Sequence, residues 1–286
     1  MRYQIITDTG CDYPMAMYDQ LDLAVAPLSV RYKEKEYTSY SEQWLKELFA
    51  GLRAGEPATT SAVNPEGWKA AITPALEAGQ DALVLTFSSG LSTTYQSAVI
   101  AAEELQETYP ERKIIVIDTL AASLGQGLFV WYACKKRDEG MPLEDLAAWC
   151  EETRKNLVMW FTVDDLMYLK RGGRISAATA LVGTMLQIKP VLHVDDEGHL
   201  INVSKCRGRK ASIEALAKKM GQLQTPGAND TVFICHGDCQ EDAEKLAAMV
   251  KEQYGVKEVF IYYVGAVIGS HSGPGTLALF FMGKER

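Results

Sequence analysis

The first half of the chain alternates short apolar runs with longer stretches whose apolar residues recur at helical spacing. Runs that are rich in β-branched residues and followed by turn residues predict strands at 3–7, 23–30, 82–87 and 113–117. Stretches enriched in Ala, Leu, Glu and Lys predict helices at 42–53, 66–78, 93–107 and 122–136. This alternation predicts an α/β fold with a mainly parallel sheet, whose ligands would gather at the carboxyl ends of the strands.

After a helix that ends near Asn156, the pattern changes to mixed α+β. A helix is predicted at 208–223, and apolar runs predict strands at 157–163, 189–194, 199–204, 230–237 and 257–264. The runs KPVLHV and HLINVS are separated by DDEG, which predicts a hairpin. The apolar residues that follow Gly273 and Gly275 near the C-terminus are expected to form a last helix.

Size and charge narrow the classes of function. Single hydrophobic cores stop growing near ~250–300 residues, so a chain of 286 residues predicts an N-terminal α/β domain at 1–157 and a C-terminal α+β domain at 158–286. The formal charge of −8 argues against a nucleic-acid partner. Apolar stretches stay shorter than the ~18 residues of a membrane span, and the N-terminus predicts a strand and not a signal peptide. We therefore expect a cytoplasmic protein with no integral membrane segment.

The six cysteines are well separated except for Cys235 and Cys239 in CHGDC. A zinc site would need a second pair of ligands at suitable spacing, which the sequence lacks, so we expect reduced thiols and no bound metal. Asp8 and Asp118 end predicted strands, where an aspartate could ligate a metal, act as a general base or accept hydrogen bonds from loop amides. The last role is the commonest, and we expect it for both residues.

Two clusters of hydroxyl residues precede predicted helices. SSGLSTTYQSA, at 88–98, follows a strand, and the free N–H groups of the helix that it begins favour an anion such as a carboxylate. ATTSAVNP, at 58–65, ends with Asn64 as a helix cap and Pro65 in the first turn. These residues could serve as caps alone. If both clusters lie at one edge of the sheet, four hydroxyls would converge on one small acidic group: those of Thr60, Ser61, Ser89 and Ser92.

Positive charge and a histidine complete the candidate chemistry. LKRGGRIS, at 169–176, places three cations around two glycines, and CRGRK adds Arg207 and Arg209, so this region could bind a phosphate or form a solvated loop. His271 stands between two serines and could donate to an anion or serve as the base for a nucleophilic serine. The sequence contains neither a G-x-S-x-G pattern nor the phosphate-binding loop of nucleotide-binding enzymes.

Taken together and in this order, these segments resemble the DegV family over essentially the whole chain. The resemblance rests on Asp8–Thr9, Thr60–Ser61, SSGLSTTYQSA, Asp118, KRGGRIS, Lys189–Pro190 and IGSHSGPG. It implies a two-domain protein that buries a long-chain fatty acid, such as palmitate, between its domains and uses no other cofactor. It also implies a separate ATP-dependent kinase subunit that phosphorylates the bound carboxylate to an acyl phosphate, in lipid transport or fatty acid metabolism.

The resemblance also assigns the site residues. The carboxylate would be held by Thr60 and Ser92. The side chains close by would be those of Ser61, Ser88, Ser89 and His271. The residues that face the kinase or the phosphate would be Arg171, Arg174 and Arg207.

The chain departs from the family pattern at three places. Thr93 stands where a glycine is usual, serines replace the threonines that flank His271, and the first turn is DTGCD where DSTAD is more typical. Serine keeps the hydroxyl of threonine, so head-group binding is expected to survive, whereas Thr93 adds bulk near the carboxylate. Two other functions stay open: a serine-dependent acyl hydrolase or transferase with His271 as base, and a lipid-free regulatory interaction protein.

Overall fold

A computed structural model of the chain describes residues 3–176 and 187–286. Its first sheet contains β1 (Tyr3–Asp8), β2 (Leu23–Ala26), β6 (Asp81–Thr86) and β7 (Ile114–Asp118). These strands are all parallel and lie in the order β2, β1, β6, β7. Every residue of β6 is buried, as an apolar run in a sheet covered on both faces requires. The predicted parallel sheet is confirmed.

A small antiparallel sheet lies beside it and carries the first hydroxyl cluster. It consists of β3 (Ser29–Tyr32), β4 (Lys35–Tyr37) and β5 (Ala58–Ser61), with β3 in the middle. The prediction of one strand over 23–30 is wrong, because Pro27 separates β2 from β3. Proline has no N–H to donate to a sheet, so the apolar run is divided between two sheets.

Six helices cover these sheets: α1 (Met15–Gln20), α2 (Glu42–Arg53), α3 (Pro65–Glu77), α4 (Thr94–Thr108), α5 (Leu124–Asp138) and α6 (Leu143–Thr153). Two single turns of 3₁₀ helix stand at Thr9–Cys11 and Arg154–Asn156. The Asn64 side chain accepts a hydrogen bond from the Gly67 N–H at 2.8 Å, and Pro65 is the first residue of α3. The predicted cap is therefore confirmed.

The second half of the chain forms one mixed sheet of six strands. They are β8 (Leu157–Thr162), β9 (Ile188–Val194), β10 (Leu200–Arg207), β11 (Thr231–His236), β12 (Glu258–Tyr263) and β13 (Leu277–Met282). Their order is β10, β9, β8, β13, β11, β12, and β11 and β12 are the parallel pair. The predicted hairpin is present as β9 and β10. Among the described residues of this half, the helices are α7 (Met167–Arg171), α8 (Arg209–Leu223), α9 (Gln240–Tyr254) and α10 (Ala266–Ser272).

The prediction of a final apolar helix is wrong, because that segment is β13, which lies between β8 and β11. A run of six apolar residues has no period that separates a buried strand from a buried helix. The glycines that precede it form a turn, in which Gly273 and Gly275 both have positive φ. Helix α10 therefore stops at Ser272, and the chain returns into the sheet.

The two faces of the six-stranded sheet pack against different parts of the molecule. One face, which includes Trp160 and Phe281, packs against α8 and α9. The opposite face, which includes Met159 and Phe280, belongs to the core of the N-terminal half, and α5 contacts three of its strands. β8 begins at Leu157, and the division into two domains at that point stays a prediction.

Within residues 3–176 and 187–286, no helix is both long and apolar enough to cross a membrane.

Candidate functional site

A cavity of about 490 Å³ lies on the face of the six-stranded sheet that carries Met159 and Phe280 and packs against the N-terminal half. We call this the inner face. This volume falls within the range of ~300–1,000 Å³ that small-molecule sites occupy. Two cross-strand pairs from β8 and β13, Met159 with Phe280 and Phe161 with Ala278, form much of its apolar wall. Other apolar residues that line it are Leu28, Phe87, Leu91, Leu169, Val194, Leu200, Val264, Val267 and Ile268.

One region of the cavity wall is polar and comes from segments far apart in the chain. Thr60 and Ser61 reach it from β5, Ser89 and Ser92 from the turn before α4, His271 from α10, and Arg174 from the loop after α7. The Thr60 Oγ1 and His271 Nε2 atoms are 2.7 Å apart, although 211 positions separate the residues. The fold therefore brings the two hydroxyl clusters and the histidine to one cavity.

In one arrangement of the protons, the local hydrogen bonds leave the hydroxyls of Thr60 and Ser92 able to donate to a ligand. Ser92 Oγ accepts from the Thr94 N–H at 3.2 Å and lies 2.8 Å from Thr94 Oγ1, which can donate to it. When His271 carries its proton on Nε2, it donates to Thr60 Oγ1 in the same way. The hydroxyl protons of Thr60 and Ser92 are then free to donate to an acceptor in the cavity, and a carboxylate is the strongest common acceptor.

A glycine allows the basic loop to approach the histidine. A Cβ atom on Gly172 would lie 2.2 Å from His271 Nδ1, so a larger residue at that position would displace the imidazole. Arg174 then turns back and donates to the Leu91 carbonyl oxygen, with Nε at 3.2 Å and Nη2 at 3.0 Å, and also to the Gly172 carbonyl. The arginine therefore joins the loop after α7 (172–176, the basic loop) to the turn before α4 (88–93, the hydroxyl turn). It also places a positive charge at the cavity wall.

The other two predicted arginines lie elsewhere. Arg171 is exposed and its guanidinium lies 4.5 Å from the centre of the Tyr168 ring. Arg207 is exposed at the end of β10. Both side chains face solvent, whereas Arg174 lines the cavity.

Ser88 differs from its neighbours because it is fully buried and donates to the Gly198 carbonyl oxygen at 2.9 Å.

The two predicted loop aspartates accept backbone hydrogen bonds, in agreement with the role expected for them. Asp8 accepts from the N–H groups of Gly10 and Phe87, and Asp118 accepts from those of Ser89 and Leu120. Among the residues described by the structure, no group of three His, Cys, Asp or Glu side chains could hold a metal ion.

Two of the departures from the family pattern, Thr93 and the serines that flank His271, lie at or near this cavity. Thr93 has a right-handed φ of −78°, so the backbone does not require glycine there, and its exposed side chain lies at the cavity wall. Ser270 donates to the Ala266 carbonyl oxygen at 2.7 Å within α10. Ser272 is buried and lines the cavity, and its hydroxyl has no hydrogen-bond partner among the described residues.

Sequence reasoning missed several residues of the cavity wall: Gln96, Ser123, Cys235 and Thr276. Gln96 belongs to SSGLSTTYQSA, so that segment could have revealed it. Ser123 and Cys235 stand in different halves of the chain and come within 3.4 Å through their Oγ and Sγ atoms. Because that contact depends on the packing of α5 against β11, no local signal in the sequence indicates it.

Burial, followed by the positive charge of Arg174, lowers the pKa of His271 from 6.5 to about 4. The imidazole is therefore neutral at physiological pH. Between pH 4 and 6.5 the folded protein binds fewer protons at this residue than the unfolded chain does, so its contribution to stability is lost as the pH falls through this range.

We expect His271→Gln to flatten the pH dependence of stability. The free energy of unfolding of the wild type should fall relative to that of the variant by roughly 2–3 kcal/mol between neutral pH and about pH 4. Urea titrations across this range measure the difference, and buried carboxyls such as Asp8 cancel because both proteins contain them. If the free energy of unfolding depends on pH in the same way in both proteins, His271 does not have the lowered pKa.

The fold and the cavity define a three-sheet α/β protein with an interior site that is apolar along the six-stranded sheet and hydroxyl-bearing on one wall. The model of the DegV family of uncharacterised proteins matches residues 2–284. A DegV domain-containing protein of Clostridium perfringens is 43% identical over 287 residues, which cover 100% of this chain and 99% of the relative. The chain belongs to the DegV family, and the resemblance found in its motifs is confirmed.

Solved structures of the family have the same fold. A DegV family protein from Thermus thermophilus, whose structure is described as showing fatty acid binding, is 33% identical with a TM-score of 0.88, covering 99% of this chain and 100% of that one. A DegV lipid-binding protein from Thermotoga maritima is 30% identical with a TM-score of 0.87, and each chain is covered completely. The mixed α/β architecture is therefore that of the family.

Proposed function

We propose that this protein binds a long-chain fatty acid, such as palmitate, with its acyl chain along the inner face of the six-stranded sheet and its carboxylate at Thr60 and Ser92. The observation that carries the proposal is that the Thr60 and His271 pair and Ser92 line the same cavity as Met159 and Phe280. The fatty acid binding described for the Thermus thermophilus relative supports it.

The energetics of such a ligand match the two parts of the site. Burial of each methylene group contributes ~0.8 kcal/mol, so a long acyl chain supplies most of the affinity. A carboxylate that leaves water must receive hydrogen bonds in exchange. The hydroxyls of Thr60 and Ser92 supply them, while Arg174 places a positive charge at the same wall.

The protein is proposed to be a carrier without catalysis of its own, which presents the carboxylate to a separate ATP-dependent kinase for acyl phosphate formation. In this scheme the exposed Arg171 and Arg207 meet the kinase or the phosphate, and Arg174 lines the cavity with the hydroxyls. We place the protein in the cytoplasm, whose reducing conditions would keep its six cysteines as thiols.

The described contacts argue against the serine hydrolase alternative. A nucleophilic serine needs a base within hydrogen-bond reach. Here His271 Nε2 contacts the Thr60 hydroxyl, and Ser88 donates to a backbone carbonyl oxygen. Ser92 Oγ lies 2.8 Å from Thr94 Oγ1, so its described partner is a second hydroxyl and not the imidazole.

Native mass spectrometry of the purified protein, followed by denaturation and identification of the released lipid, tests the proposal. We expect one fatty acid per chain, or stoichiometric uptake of added palmitate by lipid-free protein. Methyl palmitate is the control, because it keeps the acyl chain but lacks the carboxylate, and it should bind far more weakly. A protein that carries no lipid and takes up no palmitate would refute fatty acid binding.

A further inference from the structure

The last residue of the chain, Arg286, makes five hydrogen bonds to backbone carbonyl oxygens. Its guanidinium donates from Nε to Leu157 at 3.1 Å, from Nη1 to Leu120 and Asp195 at 2.8 Å each, and from Nη2 to Arg154 at 2.7 Å and Thr119 at 3.4 Å. These bonds use all three nitrogen atoms of the guanidinium. Burial lowers the pKa of Arg286 to about 10, which still leaves it charged at neutral pH.

Two of the segments that Arg286 joins form part of the wall of the proposed fatty-acid cavity. Leu120 belongs to the loop between β7 and α5, whose next residues, Ala122 and Ser123, line the cavity. Asp195 begins the turn of the hairpin formed by β9 and β10, and the residues on either side of this turn, Val194 and Leu200, line the cavity as well.

The same hairpin turn also contacts the hydroxyl turn. Ser88 Oγ donates to the Gly198 carbonyl oxygen at 2.9 Å, and the Ser88 N–H donates to the Ala121 carbonyl oxygen at 2.9 Å. A Cβ atom on Gly90 would lie 2.8 Å from the Gly198 carbonyl oxygen. The hairpin turn is therefore held by Arg286 at Asp195 and by the hydroxyl turn at Gly198.

We propose that Arg286 is a positioning residue for the fatty-acid site, because it holds the hairpin turn at 195–198 and the loop at 119–121 in place and so keeps this wall of the cavity closed over the acyl chain. The inference rests on the proposed function and extends it from the head group to retention of the ligand. Arg286 itself contacts neither the hydroxyls nor the acyl wall through the bonds described, and acts through the two segments.

The test compares Arg286→Ala and Arg286→Lys with Lys284→Ala, an exposed control two positions away. Dissociation of cis-parinaric acid, a fluorescent fatty acid, is followed by stopped flow after mixing with excess palmitate. Hydrogen exchange of the lipid-free proteins, resolved by peptide, reports on the hairpin turn independently of any ligand.

We expect Arg286→Ala to accelerate dissociation by about tenfold or more. A hydrogen bond to a charged group shifts an equilibrium by about tenfold or more, so its loss should raise the population of the open cavity by at least that factor. Exchange should rise at 195–198 and 119–121 and stay unchanged in α8 and α9. Arg286→Lys should lie between the alanine variant and the wild type, since one ammonium cannot reach five acceptors. Free methylguanidinium should slow dissociation from the alanine variant, and Lys284→Ala should stay within about twofold of the wild type.

Unchanged dissociation and unchanged exchange in Arg286→Ala would overturn the proposal. A uniform rise in exchange throughout the protein would also overturn it, because it would show a general loss of stability and no specific positioning. If the wild type binds no fatty acid, the proposed function fails by itself, and the exchange measurement still decides whether Arg286 holds the hairpin turn.

Discussion

Replacement of Thr60 by valine together with Ser92 by alanine is expected to weaken binding of palmitate by roughly a hundredfold or more. Each hydrogen bond to a charged group contributes about 1.5–3 kcal/mol, and each 1.4 kcal/mol corresponds to about a factor of ten in affinity. Valine keeps the shape of threonine, so the cavity should keep its apolar wall. Isothermal titration of lipid-free protein with palmitate measures the loss.

The matched control is Thr59→Val together with Ser97→Ala, which lie in the strand of Thr60 and in the helix that follows Ser92. Thr59 is exposed on β5, and Ser97 lies one turn into α4. We expect the control to bind palmitate as the wild type does. Equal affinities for both double variants would place the carboxylate elsewhere. Binding of methyl palmitate should change little in either variant, because the ester has no carboxylate for these hydroxyls to hold.

Trp68→Ala is expected to lower the free energy of unfolding by about 3–5 kcal/mol. Trp68 has no exposed surface, and its indole N–H donates to the Thr94 carbonyl oxygen at 3.0 Å. The substitution therefore leaves a large cavity and a carbonyl oxygen without its donor. This residue connects α3, which follows Thr60 and Ser61, to the first turn of α4, which follows Ser92. Urea denaturation, monitored by circular dichroism, measures the change.

Trp68→Phe separates the two causes. Phenylalanine fills most of the space but cannot donate, so we expect a smaller loss of about 1–3 kcal/mol. A loss below about 1 kcal/mol in the alanine variant would show that the site collapses around the missing ring and that α3 and α4 are held by other contacts.

Elements with a strong local signal were predicted well from the sequence. The predicted helix at 42–53 coincides with α2, whose cap is Ser41, and the helix at 208–223 differs from α8 by one residue. The hairpin of β9 and β10 followed from DDEG, in which Gly198 takes the positive φ that the turn requires. Caps, turns and apolar periodicity act over a few residues, so a short window of sequence contains the information they need.

Predictions failed where a local pattern allows two outcomes. The apolar run at 277–282 fits a buried helix or a buried strand, and its place between β8 and β11 decides for the strand. Pro27 interrupts the apolar run at 23–30. The sequence does not show that β3, which follows this proline, belongs to a second sheet, where it pairs with β5. That pairing carries Thr60 towards the cavity.

By itself, the sequence determined the membership of the DegV family, the order of most strands and helices, and the residue types available for binding an anion. The tertiary structure alone decided that Thr60 meets His271, that Ser88 turns to Gly198 while Ser92 lines the cavity, and that Arg286 joins loops from both halves of the chain. The reason is physical. Side-chain type and helix capping depend on neighbours in the chain. These contacts depend on how the three sheets and their helices pack, which sets the distances between residues that are far apart in sequence.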